Sequence, residues 1–214
     1  MLPKKIHILP AILSKHTWLL NIVCLLLLLL STQPGHSSMQ NSNTQLEARF
    51  GQSPGNNIVL INIDQQTLHL YRNNELTKSY PISSSKFGIG NQVESFKTPL
   101  GVHRVAKKIG DGAPVGTIFK ARVNTGKTAE IITTNAASKD DYVTSRILWL
   151  EGLEPGKNKG EGIDSFQRYI YIHGTAEEGR IGQPASRGCI RMRNMDAIEL
   201  FNLLETGTLV NIIE

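Results

Sequence analysis

Ile58-Val59-Leu60-Ile61-Asn62-Ile63, then Asp64-Gln65-Gln66, Leu68-His69-Leu70-Tyr71, Asn73-Asn74 and a run from Leu76 to Ile82: the class of fold turns on this stretch. Short apolar runs rich in β-branched residues are separated by turn formers, which is the pattern of strands joined by tight turns. It predicts a three-stranded meander, with Asn73-Asn74 as the second turn. Working outward, further strand candidates are Gly101 to Val105, Ile118 to Val123, Ile131 to Thr134, Arg146 to Leu150, Tyr169 to His173 and Thr208 to Ile213. Loops such as Glu154-Pro155-Gly156-Lys157-Asn158-Lys159-Gly160 separate them. Only Met195 to Leu204 reads as helix. Met195, Ile198, Leu200, Phe201 and Leu204 fall near i, i+3, i+4 spacing, with Asn194 as N-cap and Gly207 as the stop. The expectation is one mostly-β domain over residues 57–214 with one short helix late in the chain.

The first 56 residues have another character. Lys4, Lys5, Lys15 and His16 precede an apolar run from Trp18 to Leu30, broken only by Asn21. Thirteen residues suits the apolar part of an export signal and falls short of the ~20 a spanning helix needs. Residues 1–31 therefore read as a signal peptide or an uncleaved N-terminal anchor. Cys24, mid-run and preceded by Val23, reads as packing within the apolar segment. Residues 32–56 are polar and read as a flexible spacer, with at most a short helical turn over Leu46 to Phe50.

Charge and cysteine usage narrow the function classes. The net charge is +5, but the first 31 residues hold three lysines and no acidic residue. The remainder carries 20 basic against 18 acidic side chains, too even a balance to draw the body to phosphate backbones. Nucleic acid is excluded as a partner. With the leader removed, Cys189 is the only cysteine, so it has no internal disulfide partner. Zinc needs three or four converging ligands, whereas His69, His103, His173 and Cys189 are scattered, so neither metal nor cofactor is expected. Phe87-Gly88-Ile89-Gly90 and Gly110-Asp111-Gly112 lack the lysine of a phosphate-cradling loop. Trp149, among leucines, reads as core.

The chemistry-bearing region is Tyr169-Ile170-Tyr171-Ile172-His173-Gly174-Thr175, followed by Ser186-Arg187-Gly188-Cys189-Ile190-Arg191-Met192. A strand delivers His173 at its end, and a glycine turn presents Cys189 sixteen positions later. A thiol nucleophile needs a base for its proton and free backbone N–H groups for a developing oxyanion. Spacing alone leaves two readings open: a catalytic pair, or a small buried hydrophobe beside a satisfied strand-end histidine.

Together, His173-Gly174-Thr175 and Ser186-Arg187-Gly188-Cys189-Ile190-Arg191 resemble the signature of the L,D-transpeptidase (YkuD-type) catalytic domain. Lys97-Thr98-Pro99-Leu100-Gly101 resembles the family's Thr-Pro-x-Gly turn. Leu150-Glu151-Gly152-Leu153, Asn194-Met195-Asp196 and Glu199-Leu200-Phe201 resemble flanking segments of many members. The likeness covers about residues 57 to 214. One position departs: Arg187 stands where the family usually has histidine.

The resemblance implies a β-sandwich with one short helix after the catalytic cysteine. It implies Cys189 as nucleophile, His173 as general base, the Gly174 carbonyl orienting the imidazole, and the N–H groups of Gly188 and Cys189 as oxyanion donors. Arg191 would pair a substrate carboxylate, with Ser186 and Arg187 also on the substrate side. The substrate implied is the diaminopimelate-containing tetrapeptide stem of peptidoglycan. The acceptor could be a second stem, a D-amino acid or an outer-membrane lipoprotein, and carbapenems would be inhibitors. A monomer in the periplasm or cell envelope is expected, touching membrane only through an uncleaved leader. Hydrolysis by the same thiol (an L,D-carboxypeptidase) and a non-catalytic wall-binding module are the alternatives.

Overall fold

The computed structural model describes residues 34–214, with side chains described from residue 42 onward. The leader expected at residues 1–31, Cys24 included, lies outside the described residues. The chain divides into a leading segment, residues 1–39, and a body, residues 40–214.

The first described element is a helix, α1 (Pro34–Phe50). This corrects the reading of residues 32–56 as a flexible spacer, and of the helix near the C-terminus as the only one. A proline opens α1 and Gly51 closes it, with φ +92 and its N–H on the Glu47 carbonyl at 2.9 Å. The polar composition between those two signals obscured them. A 3-10 turn, Pro54–Asn56, then leads into the sheet.

Strands β1 (Asn57–Asn62), β2 (Thr67–Arg72) and β3 (Glu75–Pro81) form the expected antiparallel meander. Next come β4 (Gly101–Ile109), β5 (Thr117–Lys120), β6 (Val123–Thr128) and β7 (Val143–Gly152). The chain ends with β8 (Tyr171–Thr175), β9 (Ile190–Met192), helix α2 (Asn194–Leu203) and β10 (Leu209–Ile213). The C-terminal β10 inserts between β1, to which it is parallel, and β4. Strand β7 is the hub. One of its edges takes β4 and, further along, β5; the other takes β8, which pairs in parallel with β9.

The ten strands make one sheet, and it curls. Just past β3, Ser83 exchanges two backbone hydrogen bonds of 2.9 Å with Arg191 of β9. The mostly-β expectation is met, the sandwich being one sheet folded over its own core rather than two separate sheets. Two further expectations shift. The candidate strand Ile118 to Val123 splits into β5 and β6 around a turn at Ala121-Arg122. Ile131 to Thr134 is no strand: the Ile132 N–H donates to the Ala176 carbonyl and its carbonyl accepts from Gly179 N–H. The partner there is a turn, so no ladder can extend.

Alternation along β7, β8 and β9 separates core from site. Leu148, Leu150, Ile172, Ile190 and Met192 enter the main core with α2 and the meander. Their neighbours Ile147, Trp149, Tyr171 and Cys189 face the other way and pack with Phe119 and Phe166. Because side chains change face at every residue, the inward isoleucines oblige Tyr171, His173, Cys189 and Arg191 to share the outer face. Burying each isoleucine supplies roughly 1.5–3 kcal/mol, so the orientation of the site is tied to the stability of the sheet.

Candidate active site

Parallel pairing sets His173 beside Arg191 and Ile172 beside Ile190. Cys189, one residue before β9, follows in register next to Tyr171. Histidine on β8 and cysteine just before β9 thus share one face of the sheet.

The imidazole is oriented by its own strand. His173 Nδ1–H donates to the Gly174 carbonyl at 2.7 Å, which leaves Nε2 as the proton acceptor. Gly174 is needed for space: a Cβ there would lie 2.7 Å from Asn194 Oδ1 and 2.9 Å from the Thr144 carbonyl. Asn194 knits this corner together. Its Oδ1 accepts from Thr144 Oγ1 and Ser145 Oγ, both at 2.6 Å, and its Nδ2 donates to the Thr175 carbonyl and Glu178 Oε1. The expectation of Asn194 as N-cap is therefore corrected. Arg193 holds the cap position, and Asn194 turns its buried side chain into the sheet, where partners from β7 and β8 satisfy it.

The thiol is half-buried. Tyr171 N–H donates to Cys189 Sγ at 3.4 Å, and the S–H donates to the Tyr169 carbonyl at 3.4 Å. Burial pushes the thiol up to about 12, aided by Asp141 and opposed by the Tyr171 N–H, Arg191 and Arg168. Burial also holds His173 well below its usual value, although Asp141 and the Gly174 carbonyl act the other way. Both shifts favour the neutral thiol and the neutral imidazole, an arrangement in which a thiolate is made by moving the proton to His173.

The turn before the cysteine is locked internally. Ser186 Oγ accepts the Gly188 N–H at 3.2 Å and donates to the Cys189 carbonyl at 2.6 Å, while Thr98 Oγ1 donates to the Gly188 carbonyl. Gly188 adopts φ +120, a backbone conformation that side-chain-bearing residues rarely take. Two expectations change here. Ser186 is buried and holds the turn rather than facing substrate. The Gly188 N–H is engaged by that serine, which leaves the Cys189 N–H as the oxyanion donor candidate. Arg187 is exposed at the crest of the turn.

Arg191 is corrected as well. Its guanidinium is buried, with Nη1 on Glu177 Oε2 at 2.7 Å and Nη2 on Asp141 Oδ1 at 2.6 Å. Glu177 also takes Arg180 and both the N–H and hydroxyl of Ser138. A fork already filled by two carboxylates is not free for a third. Arg191 instead fastens the 129–142 loop to β9. Asp141, at the end of that loop, lines a cleft of about 540 Å³ together with Phe119, Lys120, Ala121, Lys127 and Tyr142.

A model of the L,D-transpeptidase catalytic domain (YkuD) matches residues 56–212. The chain belongs to this family. A Bacillus licheniformis protein named as an L,D-transpeptidase YkuD is 26% identical over 155 residues, covering 72% of this chain and 64% of the relative. Its Bacillus subtilis namesake is 46% identical over 46 residues, 22% of this chain and 28% of its own length. This chain thus covers less than two thirds of either curated relative. Among solved structures, L,D-transpeptidase 3 of Mycobacterium tuberculosis with a faropenem-derived adduct aligns at a TM-score of 0.47 and 15% identity, over 74% of this chain and 60% of that one. An L,D-transpeptidase of Xylanimonas cellulosilytica aligns at 0.41 and 17%, over 79% and 69%.

Within this L,D-transpeptidase domain, sequence reasoning missed Arg122, Asp141, Arg168 and the supporting role of Asn194. Arg168 binds the carbonyls of Gly90 and Lys97 and the hydroxyl of Ser95, fastening the loop behind the cysteine turn. Asn194 alone had a sequence signal, its place just after the cysteine motif. Arg122 and Asp141 come from distant loops, and Arg168, though next to Tyr169 in sequence, acts through contacts with the loop of residues 90–97.

His173 and His103 make stability depend on pH. His103 is buried between the Gly101 carbonyl and Ser165 Oγ, and burial pulls it down to about 4. The folded pKa of each lies below the unfolded value of ~6.5, so the unfolded chain binds the extra protons as pH falls. Stability is expected to be complete above pH ~6.5 and to decline towards pH 4 by about 1.4 kcal/mol per pH unit for each histidine. Urea midpoints between pH 4 and 8 would show it, and a flat profile would contradict the burial of both rings.

Proposed function

We propose that this chain is an exported cysteine acyltransferase acting on the tetrapeptide stems of peptidoglycan. Family membership supports the peptidoglycan assignment, and the leader composition supports export to the periplasm or envelope. The observation that carries the catalytic reading is the Nδ1–H bond of His173 to Gly174, which leaves Nε2 as the free acceptor on a side chain that shares a sheet face with Cys189.

Cys189 Sγ attacks the amide carbonyl between the L-centre of diaminopimelate and the terminal D-Ala. His173 Nε2 takes the thiol proton and returns it to the departing amine, so the C–N bond breaks as the C–S bond forms. The Cys189 N–H stabilises the oxyanion. In the second half an acceptor amine attacks the thioester, His173 takes its proton, and that proton restores the thiol as the C–S bond breaks. The acceptor is an amine of a second stem, a D-amino acid or a lipoprotein lysine.

The test is to incubate the purified chain with disaccharide-tetrapeptide, with and without a D-amino acid, and identify the products by mass. Cross-linked dimer or an exchanged terminal residue is expected. Tripeptide alone would make the protein an L,D-carboxypeptidase, and no product at all would favour a wall-binding module.

A further inference from the structure

A donor stem cleaved at its last amide carries a carboxylate one residue beyond the scissile carbonyl, about 3.8 Å further along the chain between Cα atoms. Recognising that carboxylate needs a cation near the thiol that no internal anion has claimed. Arg191 is consumed by Glu177 and Asp141, and Arg168 by three loop oxygens. Arg122 is different. Among the described residues no carboxylate pairs with it, and it is held in place by rings. Its guanidinium lies 4.9 Å from the Trp149 centroid and 4.6 Å from that of Tyr169, and Nη1 donates to the Tyr171 hydroxyl at 3.3 Å.

Those rings belong to the surroundings of the thiol itself. Tyr169 supplies the carbonyl that receives the S–H, and Tyr171 supplies the N–H that meets Sγ. The guanidinium therefore stands one tyrosine side chain from the nucleophile. Trp149 is fixed in turn by stacking on Phe166 at 4.1 Å and by its indole N–H on the Phe166 carbonyl. The turn that delivers Arg122 places Ala121 at φ 47 and Arg122 at φ 71, and Ala121 lines the cleft described above. Stacking uses the flat faces of a guanidinium and leaves N–H edges for a bidentate partner, while immobilising a side chain that would otherwise lose entropy on binding.

We propose that Arg122, held against Trp149 and Tyr169 and tethered to the Tyr171 hydroxyl, is the receptor for the terminal carboxylate of the donor peptide. It selects stems that end one residue after the scissile bond. This rests on the acyl-transfer reading above, and binding can be measured apart from turnover. The experiment uses the full chain carrying Cys189→Ala, titrated with disaccharide-tetrapeptide as the free acid and as the C-terminal amide, with Arg122 intact or changed to Gln. With Arg122 the acid is expected to bind about tenfold or more tightly than the amide, the scale of a charge-assisted contact. With Arg122→Gln the two should bind alike, and Arg122→Lys should recover only part of the preference because an ammonium lacks the fork. Equal binding of acid and amide with Arg122 present would overturn the proposal. So would a preference that survives Arg122→Gln, or one removed instead by Arg187→Gln. Failure of the Cys189-intact chain to release D-Ala, with the acid preference intact, would count against the acyl-transfer reading and leave this receptor standing.

Discussion

A carbapenem incubated with the purified chain is expected to add its mass once, at Cys189, and to leave Cys189→Ala unmodified. The strained lactam carbonyl is an amide primed for attack, and its ring-opened product stays tethered to the carbonyl that the thiol has captured. Burial favours the neutral forms of Cys189 and His173, so His173 has to take the thiol proton during attack, and adduct formation should slow as the imidazole is protonated at low pH. On the natural substrate, Cys189→Ala should lower kcat by roughly 10⁴-fold or more, the scale seen when a covalent nucleophile is deleted. The fold should survive, because a half-buried sulfur leaves only a small void, costing about 1 kcal/mol. Intact-protein mass with peptide mapping reads the adduct, and circular dichroism reads the fold. An adduct that persists in Cys189→Ala would sink the proposed acyl-enzyme.

Arg191→Met should be the most destabilising single change near the site. It removes the cation between Glu177 and Asp141 while keeping much of the side-chain volume. Taking one member out of a buried ion pair costs ~3–5 kcal/mol because the remaining charge is stranded. About 3 kcal/mol is the better expectation here, since Arg180 still faces Glu177 and Asp141 can turn towards solvent. Arg191→Lys keeps the charge but cannot bridge two carboxylates with one planar fork, so it should fall between. The contrast is with a substrate-binding arginine, whose loss would raise KM and leave the urea midpoint where it was. An unchanged midpoint with a raised KM would restore Arg191 to the substrate side and contradict the charge network.

Much of this was legible in order along the chain. The alternation Tyr171-Ile172-His173 and Cys189-Ile190-Arg191 forecasts which side chains enter the core and which face out, because period-two geometry is a property of each strand alone. The meander and the late helix follow from the same local rules. Even the missed helix Pro34–Phe50 carried its proline and glycine boundaries in sequence. The single-residue roles were another matter. Whether Arg191 is free depends on Glu177, fourteen residues away, and on Asp141 in the loop before β7. Whether the Gly188 N–H is available depends on the rotamer of Ser186. That Arg122 sits against the rings of Trp149 and Tyr169 depends on where the β5–β6 turn is laid in the fold. Sequence alone determined most of the strands and their faces, since local sterics and apolar periodicity act between near neighbours, while the nucleophile and base readings of Cys189 and His173 rested on the family resemblance. The tertiary structure decided which charged groups are spent on one another and which remain for a ligand, because electrostatic pairing is settled by distance in space between segments whose separation along the chain carries no trace of it.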